Sequence, residues 1–338
     1  MVKFRGVVAV SERGQPSRVR GEKQDGMLSG VLRLPVVRLG FELVPRRRCR
    51  LPAFLGSTLR GGLAGQLRRM CCVRPGRGCA GCSLRPGCAY AVLFDPGPQR
   101  LGLKGVERAP RPVVIDPPLR NATLWETRNR LEFDVIIFGR PVRYASYLPE
   151  AVAGMAGRGM GRRRHEFGLR QVMVQRGAES WKRIGGDTTA SRMRPVELRR
   201  LLPAAPAGGR IRMQFVTPLR LLANGRLLVR PTFRDLVRSL LFRANTMLSL
   251  YGPGPLEVDF RKLLERAEQV RVARNGLRMM RLQRYSNRQR RALPLDGVVG
   301  SIEFEGGGLR SFLPLLRAGT VLHLGKATVM GLGRYELE

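Results

Sequence analysis

The chain has 338 residues, of which 62 are Lys or Arg and 25 are Asp or Glu, so its formal net charge is +37. A folded protein with this imbalance repels itself unless a polyanion neutralises it. The dominance of arginine, whose planar guanidinium matches phosphate, favours a nucleic acid. Hydrophobic residues make up 43% of the chain, which excludes a disordered basic tail.

The membrane is the other polyanion to consider. The sequence has no apolar run of about 18 residues, so no membrane partner is expected. Residues 1–28 are predicted to be a tail or a marginal segment, and they lack the continuous apolar core of a secretory signal. We expect a cytoplasmic protein. A GC-rich gene is an alternative source of part of the arginine excess, although it does not explain the shortage of acids.

The first half of the chain has the element order βαββαβ. Apolar residues alternate along its predicted strands and recur every three or four residues along its predicted helices. The strands are predicted at residues 36–44, 112–115, 131–138 and 166–175, and the helices at 54–70 and 144–155. This is the order of a ferredoxin-like (RRM-like) unit, which we place at residues 29–176.

A stretch rich in Gly, Pro and Ala, residues 177–209, is predicted to connect this unit to a second one. Thr232, with Asp235 three residues later, predicts a capped start for a helix that ends at Gly252. Further helices are predicted at 258–268 and 309–316, strands at 210–222, 277–285 and 297–304, a hairpin strand at 226–229 and a strand-like end in 320–338. The sequence therefore predicts an α+β chain of tandem ferredoxin-like domains, the second at 210–338.

Five of the six cysteines fall within residues 71–88, which we interpret as a Cys-rich insertion in the first domain. Clustered cysteines in a cytoplasmic protein indicate a metal site more than disulfides. Four thiolates in a closed site favour structural zinc. The predicted ligands are Cys72, Cys79, Cys82 and Cys88. An iron–sulfur cluster and a set of reduced cysteines without metal remain as alternatives.

The segment from His323 to Tyr335 combines glycines with cations. Glycine lets the backbone approach a ligand closely, and amides flanked by cations bind phosphate. The residues that we expect to contact phosphate are Gly325, Thr328, Gly331, Gly333 and Arg334, with Lys326 beside them. Ala327 follows Gly325 and Lys326, so this is not a Walker A loop, and a plain hairpin is the alternative interpretation.

Several short motifs occur in an order that resembles one family. They are Leu59-Arg-Gly-Gly, Tyr90-Ala-Val-Leu-Phe94 after the cysteines, Ala109-Pro-Arg-Pro112, Gly157-Arg-Gly-Met-Gly161, Thr217-Pro-Leu-Arg-Leu221, Arg284-Tyr-Ser-Asn-Arg-Gln289 and the 323–335 segment. Over residues 35–337 the chain resembles the CRISPR-associated, repeat-cleaving endoribonucleases of the RAMP superfamily.

The resemblance implies a function and partners. It implies binding of a CRISPR repeat RNA and metal-independent cleavage, in which a 2′-hydroxyl attacks the adjacent phosphate. The products would be a 2′,3′-cyclic phosphate and a 5′-hydroxyl. It also implies that the guide RNA is retained, in a complex with other CRISPR effector subunits.

Such a reaction needs a base, an acid and cations around the phosphate. Many relatives carry a histidine in the first helix, whereas here Leu63-Ala-Gly65-Gln66-Leu67 has none. The catalytic candidates are therefore His323, Lys326 and Tyr285. His323 has the alternative role of a structural histidine that pins the loop, and Tyr285 that of a packing residue.

Basic runs provide the candidate RNA contacts. Aromatic residues are only 6% of the chain, which favours grip on a structured RNA through phosphates over base stacking. The candidates outside the C-terminal segment are Arg60, Arg162, Arg163, Arg164, His165, Arg284 and Arg288. Alternatively, any one of these basic runs is a solvated face of the protein that does not contact RNA.

Two other functions fit the same sequence. The missing helix histidine is compatible with a catalytically inactive subunit that caps a guide RNA. A basic protein associated with ribosomal RNA is the third possibility, and it predicts no preference for a repeat hairpin.

Overall fold

The structure, a computed structural model, describes residues 28–76, 78–97, 109–119, 123–185, 193–286 and 291–338. The predicted N-terminal tail lies outside these residues, apart from Leu28, whose side chain is buried. Among the helices of these segments, none combines the length and the apolar character needed to cross a membrane.

The first unit is a mostly antiparallel sheet with helices on one face. Its elements are β1 (Pro35–Pro45), β2 (Cys49–Arg50), α1 (Gly56–Cys71), α2 (Ala89–Phe94), β3 (Val113–Asp116), β4 (Leu124–Trp125), β5 (Leu131–Phe138), α3 (Leu148–Arg158), β6 (Phe167–Gln175), β7 (Trp181–Ile184) and β8 (Val196–Glu197). The strand order is β3-β5-β1-β6-β7, with β8 paired to β1. The two inner strands of a βαββαβ unit, β1 and β5, thus lie side by side, as the ferredoxin-like topology requires.

The second unit repeats this arrangement. Its elements are β9 (Arg210–Leu219), β10 (Leu222–Ala223), β11 (Arg226–Leu227), α4 (Phe233–Tyr251), α5 (Phe260–Glu268), β12 (Arg271–Asn275), β13 (Arg278–Met280), β14 (Gln283–Ser286), β15 (Arg291–Pro294), β16 (Gly297–Glu305), α6 (Leu313–Leu322) and β17 (Tyr335–Leu337). The strand order is β12-β16-β9-β17. Thr232 and Asp235 form the predicted capping box at the start of α4. The fold is therefore the predicted pair of ferredoxin-like units.

Three predicted elements differ in detail. The helix predicted at 144–155 begins as a 3-10 helix (Arg140–Tyr147) and becomes α3 only at Leu148, because Pro149 has no N–H and fits only a first turn. The strand predicted at 277–285 is divided into β13, in the main sheet, and β14, in a separate hairpin with β15. The predicted connection also contains strands β7 and β8 and a 3-10 helix at Leu198–Leu201.

The first sheet is covered on both faces. Val37, Leu39 and Val135 pack with the helices of the first unit, whereas Val36 and Ile136, on the opposite face, pack into the core of the second unit. Successive side chains of a strand point to opposite faces, so β1 and β5 contribute to two cores. The two units are joined through this sheet.

Candidate nucleic-acid interface

The C-terminal loop, residues 323–335, docks the second unit onto the first. Val329, Met330 and Leu332 are buried in the core of the first unit. Gly331 has a φ of 83°, in the left-handed region that glycine tolerates, and a side chain there would collide with Pro117. The glycine thus permits close packing between two parts of the protein.

Three predicted phosphate contacts share this packed environment. Thr328 is buried, and the carbonyl of Gly331 accepts a hydrogen bond of 2.7 Å from the Thr217 hydroxyl. A side chain at Gly333 would collide with the backbone of Leu324. All three positions therefore pack against the protein itself, and their contact with phosphate stays a prediction.

Arg334, also predicted to contact RNA, bridges the two units. Its guanidinium lies 3.1 Å from the Asp116 carboxylate, whose side chain is 3% exposed. Arg38 lies 3.4 Å from the same carboxylate and 2.6 Å from that of Asp134. The charge of Arg334 is therefore engaged inside the protein.

His323 is fully buried. Its Nδ1 lies 3.3 Å from the Leu332 carbonyl oxygen. Burial lowers the pKa of His323 well below its ordinary value, and the positive charges of Arg243 and Arg334 lower it further. A neutral, buried imidazole fits the alternative role of a structural histidine that pins the loop. In the sequence, the apolar neighbours Val321, Leu322 and Leu324 indicated that this position is buried.

Gly325 and Lys326 lie nearer the surface, and the Lys326 side chain is exposed. The Lys326 N–H donates to the Arg220 carbonyl at 2.8 Å, and the Arg220 guanidinium donates to the Asp296 carbonyl at 2.8 Å. The Asp296 carboxylate accepts from the N–H of Leu282 at 2.9 Å. This series of hydrogen bonds connects the loop to the base of the β14–β15 hairpin.

The β14–β15 hairpin carries two predicted site residues. Tyr285 pairs in register with Ala292. Its side chain is 62% exposed, so the ring is not packed into a core. Arg284 precedes it on the same strand and is half-buried. Arg288 lies outside the described residues.

The charges of Arg111 and Arg284 both act on Arg60, and we call Arg60, Arg111 and Arg284 the arginine cluster. Burial lowers the pKa of Arg60 below its ordinary value, and the charges of Arg111 and Arg284 lower it further. The Arg60 guanidinium lies 5.8 Å from the centre of the Phe94 ring. Arg111 Nε donates to the Phe94 carbonyl at 2.7 Å.

The arginine cluster concentrates positive charge at the junction between the units. Within the described part of the chain, neither Arg60 nor Arg284 forms an ion pair with a carboxylate. Clustered guanidinium groups of this kind bind phosphate through charge-assisted hydrogen bonds. The sequence identified Arg60 and Arg284 separately and missed Arg111, whose signal was its place between Pro110 and Pro112.

A second basic surface lies at the far end of β1. The N–H of Arg46 donates to the Glu166 carbonyl at 3.0 Å, so the basic turn at residues 46–48 adjoins the basic turn at 162–165. The side chains of Arg162, Arg163 and Arg164 are exposed, and His165 is half-buried. We call residues 46–48 and 162–165 the basic turn surface.

The five cysteines of the 71–88 segment are all free thiols. They line one cavity of about 320 Å³ between α1 and α2. No group of three or more His, Cys, Asp or Glu side chains is arranged to hold a metal ion among the residues that the structure describes. The metal site therefore stays a prediction.

Two family models match the chain. One, described as CRISPR-associated endoribonuclease Cas6, matches residues 213–335, and the other, described as an N-terminal domain, matches residues 34–197. No curated protein matches the sequence.

Solved structures share the fold. Thermus thermophilus Cas6 (TTHB231) gives a TM-score of 0.51 at 16% identity, over 90% of this chain and 99% of that chain. A Cas6 (TTHB231) product complex gives 0.53 at 15% identity over the same shares. A partial Cas6-RT-Cas1–Cas2 complex gives 0.52 at 14% identity, over 90% of this chain and 46% of that chain. At these identities the likeness shows the tandem ferredoxin-like fold.

Proposed function

We infer that this chain, whose residues 213–335 match the family model of the CRISPR-associated endoribonuclease Cas6, binds a CRISPR repeat RNA and cuts its backbone without a metal ion. The observation that carries the proposal is the arginine cluster. The charge of Arg284, in the second unit, lowers the pKa of Arg60, in the first unit, and we propose that one phosphate at the junction contacts both residues.

The proposed chemistry is an internal transfer at phosphorus. The 2′-oxygen attacks the adjacent phosphorus as its proton is removed, and the P–O5′ bond breaks as the departing oxygen is protonated. The products are a 2′,3′-cyclic phosphate and a 5′-hydroxyl. Arg60 and Arg284 hold the phosphate and offset the charge that develops on its oxygens, an effect worth about 10²–10³ in rate for one well-placed donor.

Lys326 and Tyr285 take different roles in this proposal. Adjacent side chains of a strand point to opposite faces, so Tyr285 faces away from the cluster that Arg284 joins. We therefore place the Tyr285 ring against an RNA base. Lys326, exposed and linked through Arg220 to the hairpin, provides the cation or the proton for the departing oxygen.

The grip on RNA extends beyond the scissile phosphate. All five residues of β12 are exposed, and Arg271 and Arg274 are among them. Together with the basic turn surface, they supply contacts to the phosphates of a folded repeat. A shared fold with a solved Cas6-RT-Cas1–Cas2 complex supports other CRISPR proteins as partners that receive the bound guide RNA.

A catalytically inactive subunit that caps a guide RNA is the second candidate. The observation in its favour is that neither histidine is accessible at the junction: His323 is buried and His165 belongs to the basic turn surface. A capping subunit would make the same RNA contacts as the endoribonuclease and would differ only in leaving the RNA uncut.

Substitution of the arginine cluster separates the two candidates. We expect Arg60→Ala and Arg284→Ala to slow single-turnover cleavage of a repeat RNA by about 10²-fold or more, because each removes a cation from the phosphate. RNA affinity should fall much less, since many other cations contribute. Gel-based cleavage and filter binding measure the two effects.

Arg261→Ala is the matched control, because Arg261 lies on α5, is highly exposed and pairs only with Glu265. It should cleave at the rate of the unsubstituted chain. Unchanged cleavage by both cluster variants would remove the arginine cluster from the reaction.

A further inference from the structure

The segment between α1 and α2 lacks an apolar core. From residue 72 to residue 88 no described side chain is buried. Val73 and Leu84, its large hydrophobic residues, are 69% and 56% exposed. Hydrophobic burial, the main stabilising effect in folding, therefore does not hold this segment in place.

The residues of the segment that do turn inward are almost all cysteines. In the described part of 72–88, every side chain is exposed except Arg85 and four thiols, each of which is partly covered. The four thiols are Cys72, Cys79, Cys82 and Cys88. Where an ordinary loop would turn apolar side chains inward, this segment turns sulfur ligands inward, and all four line the same cavity.

The four thiols come from three places in the segment: its start, a central turn and its end. Cys72 ends α1 in an extended conformation, and Cys88 precedes α2 in an extended conformation. Between them, Cys82 donates its N–H to the Cys79 carbonyl at 3.3 Å, in a turn where Gly81 has a φ of 72°. Cys71 also lines the cavity, but it is still part of α1.

We propose that Cys72, Cys79, Cys82 and Cys88 bind one thiophilic divalent cation, most favourably zinc. The bound cation would stabilise the segment in place of a hydrophobic core. Zinc prefers four thiolates at tetrahedral geometry, and such a site contributes directly to folding. Binding draws the four thiols together from the cavity walls, where no three are yet close enough to hold the ion. The ion takes no part in the chemistry of RNA cleavage.

The site also anchors residues next to the arginine cluster. Cys88 immediately precedes α2, which carries Tyr90 and Phe94. Arg68 lies 5.6 Å from the centre of the Tyr90 ring, and Arg60 lies over Phe94. A cation that fixes the start of α2 therefore fixes the platform on which Arg60 rests.

Metal content of the purified full-length chain tests the proposal. We expect about one zinc ion per chain by elemental mass spectrometry. With Co²⁺ in place of zinc, we expect the absorption bands of a tetrahedral thiolate site. Less than half an ion per chain together with no such bands would overturn the proposal, and so would iron with acid-labile sulfide.

Variants test the ligand set. Cys79→Ser and Cys82→Ser should lose the ion, while Cys71→Ser, a neighbour in the same cavity, should keep it. Loss of the ion from Cys71→Ser but not from Cys72→Ser would overturn the assignment of Cys72.

Limited proteolysis of the unsubstituted chain provides a readout that does not depend on the variants. A chelator should speed cleavage by chymotrypsin after Leu84, which is exposed and followed by Arg85, and added Zn²⁺ should slow it. An unchanged cleavage pattern would contradict a structural role for the cation.

Discussion

His323 occupies a position that an ionisable side chain seldom takes. It is fully buried, its Nε2 has no hydrogen-bond partner among the described residues, and Arg243 and Arg334 add positive charge around it. Protonation would place an unpaired charge in the core. A buried, neutral imidazole at this position fits the structural role of pinning the loop.

This burial predicts how stability responds to acid. The pKa of His323 is lower in the folded chain than in the unfolded chain, where it is about 6.5. The unfolded state therefore binds more protons below about pH 6.5, and the free energy of unfolding should fall there by up to about 1.4 kcal/mol per pH unit. Urea denaturation between about pH 7 and pH 5 measures this slope.

In His323→Asn the side-chain amide can still donate to Leu332 but does not titrate. We expect a flatter slope for this variant and an unchanged slope for His165→Asn. An equal slope in His323→Asn and the unsubstituted chain would show that another group is responsible.

Among the elements, the C-terminal loop has a different task from the one its glycines indicate. Gly331 and Gly333 allow contact with Pro117 and Leu324, and Arg334 reaches Asp116. The loop fastens the two units together and thereby holds the arginine cluster, whose members come from both.

Asp116→Asn tests this fastening. It removes the carboxylate shared by Arg38 and Arg334 and leaves two guanidinium groups with a neutral neighbour. Loss of one partner of a buried ion pair lowers the free energy of unfolding by about 3 kcal/mol. Because both arginines are partly exposed, we expect this value to be the largest possible loss. Chemical denaturation measures the loss.

Glu265→Gln is the control for Asp116→Asn, because its pair with Arg261 is exposed. It should change stability by less than about 1 kcal/mol. Equal effects of the two substitutions would contradict the role of the Asp116 pair.

The sequence predicted the regular elements well and the junction poorly. Alternation along β1 and β5 and the capping box of α4 are local patterns, so the order of both ferredoxin-like units followed from them. The burial of His323, the pairing of Arg334 with Asp116 and the meeting of Arg60 with Arg284 all depend on how the two units dock. Residues far apart in the sequence make these contacts, and no periodic pattern encodes them.

Across the whole molecule, the arginines behind the net charge of +37 occupy different environments. Some arginines, such as Arg38 and Arg334, bind buried carboxylates. Others form the basic turn surface and the exposed strand β12, where phosphates of a folded RNA would neutralise them. The arginine cluster lies where the two units meet, which suits a single cut in an RNA held by both.

We propose that the junction between the two units cleaves RNA without a metal ion. Single-turnover incubation of the full-length chain with a repeat RNA in excess EDTA tests it most directly, followed by analysis of the RNA ends. We expect one cut, with a 2′,3′-cyclic phosphate on the upstream product and a 5′-hydroxyl on the downstream product. Tight binding of intact RNA with no cleavage, or a cut that requires added Mg²⁺, would rule out metal-independent cleavage at this junction.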